Sequence, residues 1–450
     1  MSRKSFVSLL STLAVFAPLA CDGLDPADGV SEEAADVLAD AEGSDEFDPA
    51  DHALTDLEAD DPAVEGPPPF PQALLVSPTA AWTYLVQPSE GSGDECRVPA
   101  GGTAWRTSTG FDDSVAAGWA SGFAELGYGD GDERTVIPFG DDEDDKCITQ
   151  YFRHEFTVQN PSLYSTLVVR LLRDDGAVVY INGTQVVRSN MPATFGPTTV
   201  ASTTVDGSDE DRFFVFSGIG NLLVAGTNLI AVEVHQRSDS NPDVSFALEL
   251  DANLAPPAMG VTRNTVSFAS IETTLEEANR NTNFGNSAEC RMDGASGENN
   301  STTLEQVCLA RWDVAGIPAG ATIRAAHLDT NVTNTTPERY GLHVLETDWT
   351  ELGATWEDRN GAVAGDWATP GGVVGGEFGI NDFADEPLTV VNALSTGERI
   401  ITLPPSLVAG WRAAPATNFG LAFLNFIAEN GLDFSTAGAG IELVVTYDAP

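Results

Sequence analysis

The stretch Ser165–Arg188, STLVVRLLRDDGAVVYINGTQVVR, decides the fold. Short runs rich in Val and Ile are broken by Asp174–Asp175–Gly176 and by Asn182–Gly183. The pattern predicts three successive strands, Ser165–Leu172, Ala177–Gly183 and Thr184–Arg188. Gly and Asn tolerate positive φ, so both breaks read as hairpin turns. Working outward, RFFVFSG (Arg212–Gly218), NLIAVEVHQ (Asn228–Gln236) and VSFALEL (Val244–Leu250) continue the pattern. No 3.6-residue periodicity competes. An all-β sandwich over residues 72–255 follows.

Longer motifs carry a resemblance. FDDSVAAGWASGFAELGYGDGDERT (Phe111–Thr135), YFRHEFTV (Tyr151–Val158), LLRDDGAVVYINGTQVVRSNMP (Leu171–Pro192) and NLIAVEVHQRSDSNPDVSFALEL (Asn228–Leu250) are similar to a jelly-roll module of the galactose-binding-like class. Such modules recur as accessory domains in secreted bacterial proteins, and the class includes both sugar binders and purely structural members. Trp119, Tyr128, Arg173, His235 and Arg237 are the candidates for sugar contact. Aromatic faces stack on sugar rings, and Arg or His fixes hydroxyls. Each has a structural alternative. Trp119 could pack in the core, His235 could cap its strand, and Arg173 could pair with Asp174 or Asp175.

After the Pro/Gly link Leu254–Gly260 the strand pattern resumes over residues 260–449. Asn283–Phe284–Gly285, Trp312–Asp313 feeding IPAGATI (Ile317–Ile323), Trp349 with Thr355–Trp356, and Asn418–Phe419–Gly420 before a closing strand ending Val-Thr-Tyr resemble the DNRLRE family of β-sandwich modules. The family's usual opening is replaced here by IETTL (Ile271–Leu275). Some relatives are grouped with modules that recognise acidic polysaccharides. The resemblance therefore implies a second sandwich and makes Trp349 and Trp356 candidate contacts, with core packing as the alternative. An acidic chain repels a polyuronate unless Ca²⁺ or a local arginine intervenes; Arg280, Arg291, Arg311, Arg324, Arg339 and Arg359 are available.

Acidic residues number 68 and basic ones 21 in 450, a formal net charge of −47. That balance excludes a nucleic-acid binder and adhesion to anionic lipid through basic patches. Arg3 and Lys4 precede an apolar run, Phe6–Ala20, that ends at Cys21. Residues 1–20 read as a secretory signal. The ending PLAC resembles a bacterial lipobox, which implies lipid attachment at Cys21; ordinary secretion is the alternative. Residues 21–71 are acidic, poor in aromatics and without lysine or arginine. They read as a disordered, self-repelling tether. Four cysteines remain. They allow three connectivities, and pairing within each half, Cys96–Cys147 and Cys290–Cys308, is expected. A zinc site is the rival reading.

Loop carboxylates at Asp112, Asp113, Asp130, Asp132, Asp174 and Asp175, with the run Asp141–Asp145, are candidate ligands for a structural Ca²⁺. Asx turns are the alternative. The sequence contains no G-x-S-x-G, H-E-x-x-H or phosphate-binding glycine loop. Only Lys4 and Lys146 are lysines. These observations point away from an enzyme. The reading is an exported, lipid-anchored cell-envelope protein with two tandem sandwiches that bind a polysaccharide or another extracellular polymer. It touches membrane only through its lipid and uses no nucleic acid. The alternatives are a structural or adhesive surface protein that binds protein partners, and a polysaccharide lyase or hydrolase hidden in one sandwich.

Overall fold

The computed structural model describes residues 71–450 apart from 90, 295–303, 362–366, 370–372, 377, 380, 426–429 and 439. The signal segment, Cys21 and the acidic tether through Phe70 lie outside the described residues. The fold is all-β, a pair of β-sandwiches, with two short α-helical segments among the described residues.

The first sandwich contains β1 (Gln72–Val76), β2 (Ala81–Leu85), β3 (Trp119–Phe123), β4 (Leu126–Tyr128), β5 (Thr135–Val136), β6 (Thr149–Val158), β7 (Tyr164–Arg173), β8 (Gly176–Ile181), β9 (Thr184–Ser189), β10 (Phe214–Gly220), β11 (Gly226–His235) and β12 (Val244–Leu254). One sheet runs β10-β7-β12-β4-β5, with β1 also on β12; the other runs β3-β2-β6-β11-β8-β9. Alternate residues of each strand meet in the middle. Phe152 of β6 stacks on Phe246 of β12 at 4.2 Å, and Trp82 of β2 meets the same ring edge-on at 4.9 Å. Val179, Ile181, Ile230 and Val232 are buried beside them.

Asn182–Gly183 does form the β8–β9 hairpin, with φ of 50° and 85°. The Asp174–Gly176 break does not form a hairpin. β7 pairs with β10 and β12, whereas β8 pairs with β9 and β11 in the opposite sheet. The turn carries the chain across the core instead of folding it back. Gly176 is needed at this crossing because a Cβ would lie 2.7 Å from the Met191 sulfur and 2.9 Å from the Asn190 carbonyl oxygen.

The second sandwich contains β13 (Arg263–Phe268), β14 (Ser270–Glu276), β15 (Glu289–Gly294), β16 (Leu304–Trp312), β17 (Thr322–Asn334), β18 (Thr336–Val344), β19 (Trp367–Thr369), β20 (Val373–Gly376), β21 (Thr389–Ala393), β22 (Gly397–Leu403), β23 (Leu421–Leu424), β24 (Leu432–Ser435) and β25 (Glu442–Asp448). One continuous sheet folds over at β15, which pairs with β24 on one side and β16 on the other. Ile271–Leu275 lies in β14, along the edge of β16. The helix Pro405–Ala413 closes one end, its Trp411 stacked on Trp312 at 6.0 Å. Both expected disulfides are present. Cys96–Cys147 spans 51 residues and Cys290–Cys308 spans 18.

The sandwiches belong to one compact unit. Ser77 Oγ donates to the Leu388 carbonyl at 2.7 Å, and Asn392 Nδ2 donates to the Asp211 carbonyl at 2.6 Å. The Arg339 guanidinium of the second sandwich contacts Glu125 and Asp132 of the first, and lies 3.4 Å from Asp211. Arg134 of the first sandwich is paired in turn with Glu386 of the second.

Candidate functional site

The outer face of the β3-β2-β6-β11-β8-β9 sheet is not bare. Register places Tyr151 opposite Glu233, Thr149 opposite His235, and Ala231 opposite Tyr180. Period-two alternation turns all of these side chains away from the core that Phe152 and Val232 occupy. Over this face lies the loop carrying the helical turn Ala104–Thr107. Arg153, buried on the same face of β6, holds that loop down. It donates to the carbonyls of Trp105 and of Ser108 (3.2 Å), and its Nε donates to Asp113 Oδ2 at 2.9 Å. Arg153 is satisfied by these partners and so holds the loop at a fixed height.

Between the loop and the sheet is a cavity of about 540 Å³, a size suited to a small ligand. Trp105, Tyr151 and Tyr180 form its aromatic part; Phe195–Pro197 stands opposite, and Gln185 and Thr103 lie at the rim. Trp105 meets Tyr151 edge-on at 5.2 Å and Tyr180 at 6.0 Å. Glu233 is the polar centre. Tyr180 Oη donates to its Oε1 at 2.7 Å, and the Arg106 guanidinium lies 3.8 Å from the same oxygen and 4.3 Å above the Tyr180 ring. Burial, reinforced by the Glu233 charge, holds the pKa values of both Tyr151 and Tyr180 well above the ordinary phenol value. Both stay neutral at physiological pH. Beneath Glu233, His235 is fully buried. Its Nδ1 is 2.8 Å from the Thr199 carbonyl, which can only accept, so Nδ1 carries the hydrogen. Nε2 lies 3.6 Å from Glu233 Oε2.

Of the candidate contacts, His235 supports this pocket from below. Trp119 packs in the same buried cluster as the pocket's rings, and the rest lie elsewhere. Trp119 is buried and packs edge-on against Phe111 at 5.8 Å. Tyr128 is buried, with its hydroxyl bonded to Gln236 Nε2. Arg173 is buried; its Nε donates to Ser189 Oγ at 3.0 Å and its guanidinium lies 4.0 Å above the Phe214 ring. Arg237 is exposed, and its amide donates to Asp175 Oδ2 at 2.6 Å. Trp349 and Trp356 are buried in the second sandwich. Trp349 Nε1 donates to the Phe419 carbonyl at 2.8 Å, and Trp356 packs against Phe378 at 6.2 Å. All three tryptophans are as buried as Trp105, Tyr151 and Tyr180; Trp119 packs in the same cluster as those rings, and Trp349 and Trp356 pack in a cluster apart from the main core of the second sandwich.

The six candidate metal ligands separate into three places. Asp112 accepts from the Ser114 amide at 3.2 Å, and hydrogen bonding from the Ser114 side chain, then from its amide, holds the Asp112 pKa low; Asp113 is taken by Arg153 and by Thr83 Oγ1 at 3.1 Å. Asp130 and Asp132 join Glu133 in a group whose ligand oxygens lie within 4.8 Å of one another. Asp174 and Asp175 are buried together at the β7–β8 crossing. Asp141 and Asp142 form loop turns, accepting from the amides of Gly93 (2.6 Å) and Asp144 (2.9 Å).

Trp105, Arg106, Tyr151, Tyr180 and Glu233 belong to no motif that singles them out in the sequence. One signal was present: Glu233 interrupts the apolar run NLIAVEV in the phase shared with His235. A charged residue inside a strand needs a partner or a function.

No family model matches the chain, and no curated protein matches it. Three solved structures with a partial likeness are far from it in sequence. A β-glucuronidase from an uncultured Clostridium is 10% identical, covering 58% of this chain and 36% of its own, at a TM-score of 0.25. A β-glycosidase from Bacteroides vulgatus is 13% identical, covering 58% and 26%, at 0.24. A β-glucuronidase of glycoside hydrolase family 2 is 12% identical, covering 60% and 24%, at 0.26. The matched part is thus about a quarter to just over a third of each of those chains, and such a likeness carries no argument about activity. Among the described residues, no helix is long and apolar enough to cross a membrane.

Proposed function

We propose that this protein is an exported, lipid-anchored component of a bacterial cell envelope that binds carbohydrate in the first sandwich. The observation that carries the reading is the pocket of about 540 Å³ holding Trp105, Tyr151 and Tyr180 around the Arg106–Glu233 pair. Aromatic rings suit the apolar face of a pyranose, and a carboxylate with a guanidinium suits its hydroxyls. Among the described residues lining the pocket, Glu233 is the single carboxylate. Glycoside hydrolysis commonly uses a pair, so binding is favoured over turnover. The DNRLRE-like resemblance of residues 260–449 fits a surface polymer partner. A glycan array probed with the full chain tests the reading. Retention of at least one saccharide is expected, and no retention of any would overturn it. For the anchor, Cys21→Ser is expected to release the protein from the membrane fraction; unchanged retention would refute lipidation.

A second reading, a structural or adhesive surface protein, is favoured by the ion pairs that fix the two sandwiches together. It predicts capture of a protein partner with no saccharide bound.

A further inference from the structure

The charges around the Trp105–Tyr180 pocket cancel. Among the described residues lining it, Arg106 and Glu233 alone are charged. They lie 3.8 Å apart, with side-chain exposures of 27% and 7%. The carboxylate is therefore the sheltered partner and the guanidinium the wetter one. Glu233 Oε1 also accepts from Tyr180 Oη at 2.7 Å, and the guanidinium lies 4.3 Å above the Tyr180 ring. The other polar side chains at the pocket, those of Thr103, Gln185, Tyr151 and Tyr180, are uncharged. Arg153, the cation under the covering loop, is engaged by Asp113 and by the Trp105 and Ser108 carbonyls.

A ligand carboxylate in this pocket could pair with Arg106 only by drawing it away from Glu233. It would then stand beside a buried carboxylate that has lost its cation, and both the like-charge contact and the unpaired buried charge are costly. A ligand ammonium meets the reverse problem, since the one carboxylate is already shared by Tyr180 and Arg106. Hydroxyl groups meet neither. Each can donate to the carboxylate or accept from the guanidinium without breaking the pair. The rest of the molecule acts in the same direction. A formal net charge of −47 repels a polyanion before contact. The arginines that could offset the repulsion are taken. Arg280 pairs with Glu357 (2.5 Å), Arg291 with Glu289 (3.3 Å), Arg311 with Asp348 (2.6 Å), Arg324 with Asp448 (2.7 Å), and Arg339 with Glu125 and Asp132; Arg359 donates to the Asp348 carbonyl at 3.1 Å. We propose that the pocket takes an uncharged pyranose and rejects uronic acids. The proposal rests on the carbohydrate reading and narrows it, and it departs from the acidic polysaccharides that the DNRLRE-like resemblance implies.

An array of matched saccharides, glucose against glucuronate, galactose against galacturonate and mannose against mannuronate, probed with the full chain, tests the proposal. The wild type is expected to retain at least one neutral member about 10-fold or more above its uronate. That retention is expected to change by less than about 2-fold between about 50 and about 500 mM NaCl, because no ligand charge is there to be screened. Glu233→Gln keeps the shape and takes the partner from Arg106. It is expected to narrow the preference to about 3-fold or less, or to reverse it, since a uronate can then pair with the guanidinium. Arg106→Gln is expected to weaken the neutral sugar and to leave uronates unbound. The proposal fails if the wild type retains a uronate as well as its neutral partner, or if folded Glu233→Gln does not narrow the preference. If Glu233→Gln does not fold, Arg106→Gln decides, and a gain of uronate retention there overturns the proposal. An array with no saccharide retained would sink the carbohydrate reading itself. A uronate retained by the wild type and lost in Arg106→Gln would leave that reading and sink this one.

Discussion

Tyr180 and Glu233 sit on neighbouring strands, and the tyrosine hydroxyl donates to the buried carboxylate across 2.7 Å. One partner comes from a hairpin and the other from a central strand, so the contact exists only when the sheet has the correct register. It fixes the carboxylate at the centre of the pocket.

Tyr180→Phe removes the donor and leaves Glu233 buried with one partner fewer. A loss of about 1–3 kcal/mol is expected in urea unfolding. A change within error would show that the carboxylate finds another donor.

Arg339→Ala leaves Glu125, Asp132 and Asp211 unpaired at the junction of the sandwiches. Removing one member of a buried ion pair costs about 3–5 kcal/mol. Glu125 is buried, and desolvation raises its pKa despite the arginine. Adding Glu125→Gln to Arg339→Ala is therefore expected to restore part of the loss. Denaturant titration checks both, and an additive double variant would contradict the coupling.

Most of the sandwich was legible from period two. β8 through β12 fall within a few residues of the expected runs, because Val, Ile and Phe are concentrated there between breaks of Gly, Asn and Asp. The Asp174–Gly176 turn was misread, since a short turn does not say whether the next strand joins its neighbour or crosses to the opposing sheet. The pocket was not legible because its parts come from residues 105, 151, 180 and 233, and only register brings Tyr151 opposite Glu233. Trp119, Trp349 and Trp356 drew attention as large rings, yet each is buried in a cluster beside the main cores.

Asp130 titrates within an accessible range. Partial desolvation, then the neighbouring charges of Asp243 and Asp132, raise its pKa to about 6. The folded state then holds the proton more tightly than the unfolded chain. The stability it contributes is present below about pH 4 and lost as pH rises toward 6. In EDTA, Asp130→Asn is expected to gain Tm relative to the wild type across that window, with the difference level above it. A difference that is constant or shrinks with pH would contradict the shift.

The two disulfides close loops of different length, 51 and 18 residues. Paired alanine replacement of Cys96 and Cys147 is expected to cost about 4 kcal/mol, and of Cys290 and Cys308 about 3 kcal/mol. Equilibrium unfolding of each variant gives the comparison, and a reversed order would contradict loop closure as the source.

The central claim is that the Trp105–Tyr180 pocket is the carbohydrate site. Its most direct test is one glycan array probed side by side with the wild type and Arg106→Ala, a half-buried residue whose removal spares the core. The account predicts a saccharide retained by the wild type and lost or weakened about 10-fold or more in the variant. Equal retention by both, with the variant folded, would contradict it.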